Sequence, residues 1–297
     1  MSLLPKVIPY RDVTPEEQLF GLEVRDCWAG LHQARLLSWV SFSPGAFNLE
    51  EFLDLENPYN ADIHEVVPNK FFAMRGPVNL PCGVEFQDVR SLDTGAFSHR
   101  DFSPHYYARI LQLLNVQLVV RLNAPCYDKV HFERAGIVVV DLFFEDCTSP
   151  GLDVVAKFLD IVEGIHGAVA VHCKAGLGRT GTVIGLSLMK HFDFSARAAM
   201  GWLRILRPGS VMGEQQGFLC AREKIMRRDG EEFRARGGAP TRMPESSHPA
   251  HIARFVEKAC KDADRRVAVA IHRAALAYQV DVAVVAAAVR VQLRADS

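Results

Sequence analysis

Apolar positions between residues 68 and 206 alternate between two textures, short β-branched runs and longer stretches at helical spacing. Val116 to Leu122, Ile137 to Phe144 and Ala168 to His172 are the main short runs, and Phe71 to Met74 is a shorter one. They are too continuously apolar to keep one face in water, so they predict strands buried on both faces. Pro104 to Leu114 predicts a helix, with Ser103 as N-cap and Pro104 at the first position. Ser149 to His166 predicts another, with Leu152, Val155, Phe158, Leu159 and Val162 near helical spacing. Gly181 to His191 and Ser195 to Leu206 predict two more. Strands separated by helices imply a central, largely parallel sheet flanked by helices, an α/β fold.

The flanks differ. Glu16 to Gly21, Asp26 to Trp39 and Asn48 to Leu55 read as helices, with turn signals at Ser43-Pro44-Gly45 and Asn57-Pro58. From Arg222 the chain is Arg-rich, and between Gly237 and Pro249 it turns to Gly, Pro and Ser, a linker composition. His251 to Arg294 reads as helical and rich in Ala and Val. The predicted organisation is an N-terminal module over 1–67, an α/β domain over 68–228, a linker over 229–250 and a C-terminal helical segment over 251–297. The apolar positions of that last segment suit packing on a core or on a protein partner.

Composition narrows the chemistry. The formal net charge of −1 provides no global field for nucleic acid or acidic lipid, so an anion site must be local. The longest apolar stretch near the C-terminus, Val282 to Val289, is too short to span a bilayer, and no signal peptide is visible. The chain therefore reads as soluble and intracellular, cytoplasmic or nuclear. Seven cysteines without regular spacing fit reduced thiols in place of a disulfide framework, which leaves a thiol free to act as a nucleophile.

That thiol is Cys173. In Val169-Ala-Val-His-Cys-Lys-Ala-Gly-Leu-Gly-Arg-Thr-Gly181 a buried strand runs into a Gly-containing loop and then a helix. This geometry gathers backbone N–H groups around one point at a helix N-terminus, where an anion binds. The same surroundings favour the thiolate over the thiol. Lys174, Ala175, Gly176, Leu177, Gly178 and Arg179 form the phosphate-binding loop. Gly176 and Gly178 permit close backbone approach. Arg179, six positions after Cys173, offers a bidentate fork to two phosphate oxygens. The Thr180 hydroxyl can donate toward the sulfur, and His172 can hold the strand end. A leaving oxygen needs a proton, and Asp146 follows the strand 137–144 at the same sheet edge. Asp141 and Glu145 are its rivals. Gln215 and Gln216 can orient a water for the second step. This chemistry requires no cofactor and no metal.

The loop His172 to Gly181 resembles the signature of protein tyrosine and dual-specificity phosphatases, most closely the mitotic-exit (cell-division-cycle-fourteen) type. Val119-Val-Arg-Leu-Asn123, Tyr127-Asp128, Asp141 to Phe144 with Asp146, and Arg207 to Gly213 with Gln215-Gln216 resemble it in order and spacing. So do Pro68 to Phe71 leading to Gly76-Pro77, and the earlier Pro9 to Asp12, Asp26-Cys27, Glu56, Asn60 and Asp62. The resemblance implies the phosphotyrosine phosphatase-like fold, preceded by a partial, non-catalytic phosphatase-like module. It implies Cys173, Arg179 and Asp146 as catalytic residues, Gln215 or Gln216 as water positioner, and Glu56 and Asp62 as an acidic substrate groove. The implied substrates are phosphoproteins, with phosphoserine-proline sites foremost, in cell-cycle control. Cys147 stands where that family usually has glycine. Two other readings remain: a phosphoinositide phosphatase, whose loop carries a lysine where this chain has Leu177, and a phosphoprotein-binding pseudophosphatase.

Overall fold

The computed structural model describes residues 20–44 and 48–238, together with Pro9, Lys258, Lys261, Asp262 and Asp264. The expected helix over Glu16 to Gly21 lies outside these residues except for Phe20 and Gly21, which are not helical. Most of the linker and of the C-terminal segment also lies outside them.

In chain order the elements are α1 (Val24–Leu36), α2 (Leu49–Glu56), β1 (Ile63–Val67), β2 (Phe71–Met74), β3 (Phe86–Arg90) and β4 (Phe97–Phe102). There follow α3 (Pro104–Leu113), β5 (Val116–Arg121), α4 (Val130–Arg134), β6 (Val138–Asp141) and α5 (Leu152–Gly164). β7 (Ala168–His172), α6 (Gly178–Phe192), α7 (Ala196–Leu206) and α8 (Glu214–Ala235) complete the set. Five strands form one sheet in the order β1-β2-β7-β5-β6, and β3 and β4 form a separate hairpin. β1 is antiparallel to β2, and the other pairs are parallel. This is the phosphotyrosine phosphatase-like α/β architecture.

Side chains alternate across the sheet as the pleat requires. Phe71, Ala73, Val169 and Val171 join the core beneath α5, α6 and α7, whereas Phe72, Met74, Ala168 and Ala170 join the core beneath α3 and α4. All five residues of β7 are buried. The register levels the strand ends: His172 is opposite Met74 on one side and Arg121 on the other, and Arg121 is opposite Asp141. The loops after β2, β7, β5 and β6 therefore leave from one edge, where open parallel sheets bind ligands.

Several expectations are corrected. The strand over 137–144 is confined to Val138–Asp141, because the chain beyond Asp141 turns away to form a loop. The helix over 149–166 begins only at Leu152, after Pro150-Gly151. The helix over 26–39 ends at Leu36, where Ser38 adopts φ +60°. The helix placed at Gly181 begins at Gly178, so the loop closes into its first turn. The expected boundary at 67/68 cuts the β1–β2 hairpin, and the one at 228/229 cuts α8. Trp202 Nε1 donates to Val66 O at 2.9 Å, which ties β1 to α7. Among the described residues no helix is long and apolar enough to cross a membrane.

Candidate active site

Cys173 is the first residue after β7, 3% exposed, and opens a loop that closes into α6. The carbonyls of this loop are all engaged on its outer side. Cys173 O accepts from His172 Nδ1 at 3.0 Å, and Lys174 O accepts from Gly76 N at 3.1 Å. Ala175 O and Gly176 O accept from Arg207 Nη2 at 2.8 Å and Arg207 Nε at 2.7 Å. Leu177 O accepts from Gly181 N at 2.8 Å. With the carbonyls turned outward, the amides of residues 174–180 have no acceptor among the described residues. They include the orphan donors of the first turn of α6. The loop thus offers a run of free N–H groups beside the buried Cys173, an arrangement suited to an anion.

Two glycines make the curl possible. Gly176 has φ +71°, and a Cβ there would lie 2.0 Å from Met74 O. A Cβ on Gly76 would lie 2.2 Å from Cys173 O.

Behind the loop, His172 is fully buried, and burial pushes its pKa down to about 4. Its neutral ring donates from Nδ1 to Cys173 O, so Nε2 is the acceptor, and Tyr127 Oη donates to it at 2.8 Å. Arg121 Nη1 donates to Tyr127 O at 2.9 Å, with its guanidinium 4.5 Å from the ring centroid.

Arg179 is buried and donates from Nη1 to Phe144 O at 3.0 Å. Its Nε lies 3.1 Å from Asp146 Oδ1. That Nε has no well-aligned acceptor, so the contact is a charge pair and not a directed hydrogen bond. The Thr180 hydroxyl is buried and has no hydrogen-bond partner among the described residues. A buried polar atom left so is costly.

Of the three carboxylates considered, only Asp146 meets the loop. Asp141 is bound to Arg121 Nε at 2.6 Å and Lys129 Nζ at 2.5 Å. Burial raises the Asp141 pKa, but these two cations outweigh it and hold it below the usual range. Glu145 is exposed, and its backbone carbonyl accepts from Thr148 Oγ1 at 2.9 Å. Asp146 sits on an exposed loop whose far end is tethered to α8, by Glu214 Oε1 accepting from Ser149 N at 2.7 Å and by Gln215 Nε2 donating to Thr148 O at 3.0 Å.

The glutamine pair separates. Gln215 is buried against the loop, its Oε1 2.9 Å from the position a Cβ on Gly178 would take. Gln216 turns away, its Oε1 accepting from Arg204 Nη2 at 3.0 Å. Consecutive residues of a helix point about 100° apart, so one of the pair had to leave the site. Lys174 is exposed at the rim, and Ala175 and Leu177 are half-buried.

The structure places the two carboxylates expected in an acidic groove beside the loop's support. Asp62 Oδ1 accepts from Arg207 Nη1 at 2.7 Å, which makes it part of the loop's support. Glu56 lies 3.6 Å from His64 Nε2, and His64 Nδ1 accepts from the same Arg207 nitrogen at 2.8 Å. Asp62 thus contacts the arginine beneath the loop directly, and Glu56 approaches it only through His64. Arg207 and Tyr127, the loop's main buttresses, stood in the resembling stretches but were given no role from sequence, because nothing in a linear pattern shows which arginine lies under a loop. Among the described residues no cluster of His, Cys, Asp and Glu is placed to hold a metal ion.

Residues 103–224 match the family described as dual specificity phosphatase, catalytic domain. The chain is 39% identical over 227 residues to the dual specificity protein phosphatase CDC14B of Mus musculus, covering 76% of this chain and 44% of that protein. It is 37% identical over 229 residues to the dual specificity protein phosphatase CDC14C of Homo sapiens, covering 77% and 48%. It is 36% identical over 227 residues to the tyrosine-protein phosphatase CDC14 of Saccharomyces cerevisiae, covering 75% and 39%. The chain thus spans less than half the length of these relatives. With the free loop amides after β7 and this likeness over three quarters of its length, the chain belongs to the CDC14 family of dual specificity phosphatases.

Proposed function

We propose that the chain hydrolyses phosphate monoesters on phosphoproteins through a cysteinyl-phosphate intermediate. The observation that carries this reading is the outward engagement of the loop carbonyls, which leaves the amides of residues 174–180, next to Cys173, without acceptors among the described residues.

The Cys173 thiolate attacks phosphorus as the bond from phosphorus to the ester oxygen breaks. Asp146 gives a proton to that oxygen. The loop amides and the Arg179 guanidinium stabilise charge spread over the three equatorial oxygens. In the second step a water held by the Gln215 amide attacks the phosphocysteine, with Asp146 taking its proton. The sulfur leaves as thiolate, to which the otherwise unpartnered Thr180 hydroxyl donates.

The substrates we infer are phosphoserine, phosphothreonine and phosphotyrosine on proteins, with phosphoserine-proline sites of cell-cycle proteins foremost. The names of the relatives and the apolar Leu177 favour this over phosphoinositides. Cys173→Ser is expected to abolish phosphate release and still retain a phosphopeptide. Asp146→Ala is expected to slow alkyl phosphates on the order of 100-fold or more while sparing activated aryl phosphates. Equal slowing of both would remove Asp146 from the acid role. Turnover of a phosphoserine-proline peptide beside a phosphoinositide tests the substrate class, and a preference for the lipid would reverse it.

A further inference from the structure

A groove of about 830 Å³ lies on the side of the sheet covered by α3 and α4. None of its walls comes from the Cys173 loop or the Asp146 loop. They are the segment 79–85, the face of α3 that carries Pro104, His105, Ala108, Arg109 and Gln112, and α4 with Ala135 after it. The floor is apolar, built from Pro81, Val84, Pro104, Ala108 and Ala135, and Val84 is 38% exposed.

The charged groups lining it are unbalanced. Arg109 and Arg134 are the cations, and Glu85 is the sole carboxylate among the described lining residues. Glu85 is already taken by Arg109 Nη2 at 2.7 Å. Arg134 is exposed and has no ion-pair or hydrogen-bond partner among the described residues. His105 and His131 stand with ring centroids 5.7 Å apart, and neither pairs with a carboxylate among the described residues. The chain as a whole carries −1, so this excess of positive charge is local to the groove.

An apolar floor with cations and ring N–H groups along its wall suits an extended peptide that alternates apolar with acidic side chains. The segment 79–85 runs on into β3, which pairs only with β4. We propose that this groove docks an acidic peptide segment of a protein partner, anchored by apolar side chains on Pro81, Val84 and Ala108 and by its carboxylates on Arg134 and the two imidazoles. Asn79, at one end, accepts a hydrogen bond from Asp128 N and donates from its own N to Cys126 O. The docked segment would therefore lie against the turn that carries Tyr127, one step from His172.

The test is direct binding and does not depend on phosphatase activity. Fluorescence anisotropy of a fluorescein-labelled peptide alternating Leu and Asp is measured with the full chain. Saturable binding that weakens with salt is expected, and Arg134→Glu should weaken it about tenfold, the effect of one charge contact. A Leu–Lys peptide should bind the Arg134→Glu variant better than it binds wild type, a rescue that a misfolded variant cannot give. The proposal is overturned if the Leu–Asp peptide does not bind, if the Leu–Lys peptide binds wild type as tightly, if single-stranded RNA binds more tightly than the peptide, or if Arg134→Glu binds both peptides as wild type does.

Discussion

Arg207 touches no reacting atom in this scheme, and every arm of its guanidinium is used beneath the loop. Nε and Nη2 hold the carbonyls of Gly176 and Ala175, and Nη1 is shared between Asp62 and His64. A lysine keeps the charge but offers one nitrogen where the site uses three. Arg207→Lys is therefore expected to lower kcat about 100-fold, the size of effect that follows from a loop displaced by about 1 Å. The same change should destabilise the fold by about 2–3 kcal/mol, because buried carbonyls lose charge-assisted partners. Steady-state kinetics with a small aryl phosphate and urea unfolding check the two parts, and wild-type kcat would show that the loop holds itself. Tyr127→Phe makes a smaller change. It leaves His172 Nε2 buried without its donor, so a loss of about 1–3 kcal/mol in unfolding free energy is expected.

At the scale of elements, the site is one strand–loop–helix unit, β7 into α6, faced by a loop that α8 holds in place. Glu214 and Gln215, the first residues of α8, bond Ser149 N and Thr148 O, so the position of Asp146 depends on a helix far along the chain, 65 residues beyond Ser149. Glu214→Ala should therefore imitate Asp146→Ala weakly, slowing alkyl phosphates several-fold and aryl phosphates less. Paired kinetics on the two ester classes test this, and equal effects would mean that the tether does not position the acid. The strand–loop–helix unit was legible in the sequence because its signals are local: a buried β-branched run, then Cys173, two glycines and Arg179. The β3–β4 hairpin was not, since β3 is exposed on nearly every residue and shows no alternation to read. α8 is not legible as a helix, and its end falls in the expected linker, because Arg and Glu dominate it beyond Arg222, yet Phe218, Leu219, Met226 and Phe233 are buried along it. The contact of Asp62 with Arg207 is not legible in the sequence, because a carboxylate looks the same there whether it faces a substrate or a buried arginine. Cys147 adopts φ +59°, the left-handed region that favours glycine, which its sequence position alone does not reveal.

Across the whole molecule, the N-terminal part is joined to the catalytic part by polar contacts as well as by packing. Asp26 on α1 receives Arg197 of α7 through both oxygens, at 3.0 and 2.7 Å. Burial raises the Asp26 pKa, but Arg197 and the helix amide outweigh it and leave it below the usual range. Asp26, Asp141 and Glu163 all have lowered pKa values, so their stabilisation is lost only as pH falls through the carboxylate range. The histidines act earlier. Burial pushes His64 from 6.5 down to about 3 and His172 from 6.5 down to about 4. In the window from 6.5 to about 4 the unfolded chain binds protons at these two sites and the folded chain does not, so stability falls as the solution is acidified. His191, also lowered by burial, acts with the same sign. Each such site contributes at most about 1.4 kcal/mol per pH unit, so the two deeply shifted rings together give a slope approaching about 3 kcal/mol per unit. Urea midpoints measured between pH 6.5 and 4.5 should drop steeply. His64→Asn should remove up to half of that slope, because an amide can still accept from Arg207 and has no proton to take up. A slope that His64→Asn leaves unchanged would show that His64 is protonated in the folded protein and that Arg207 has turned from it toward Asp62 alone.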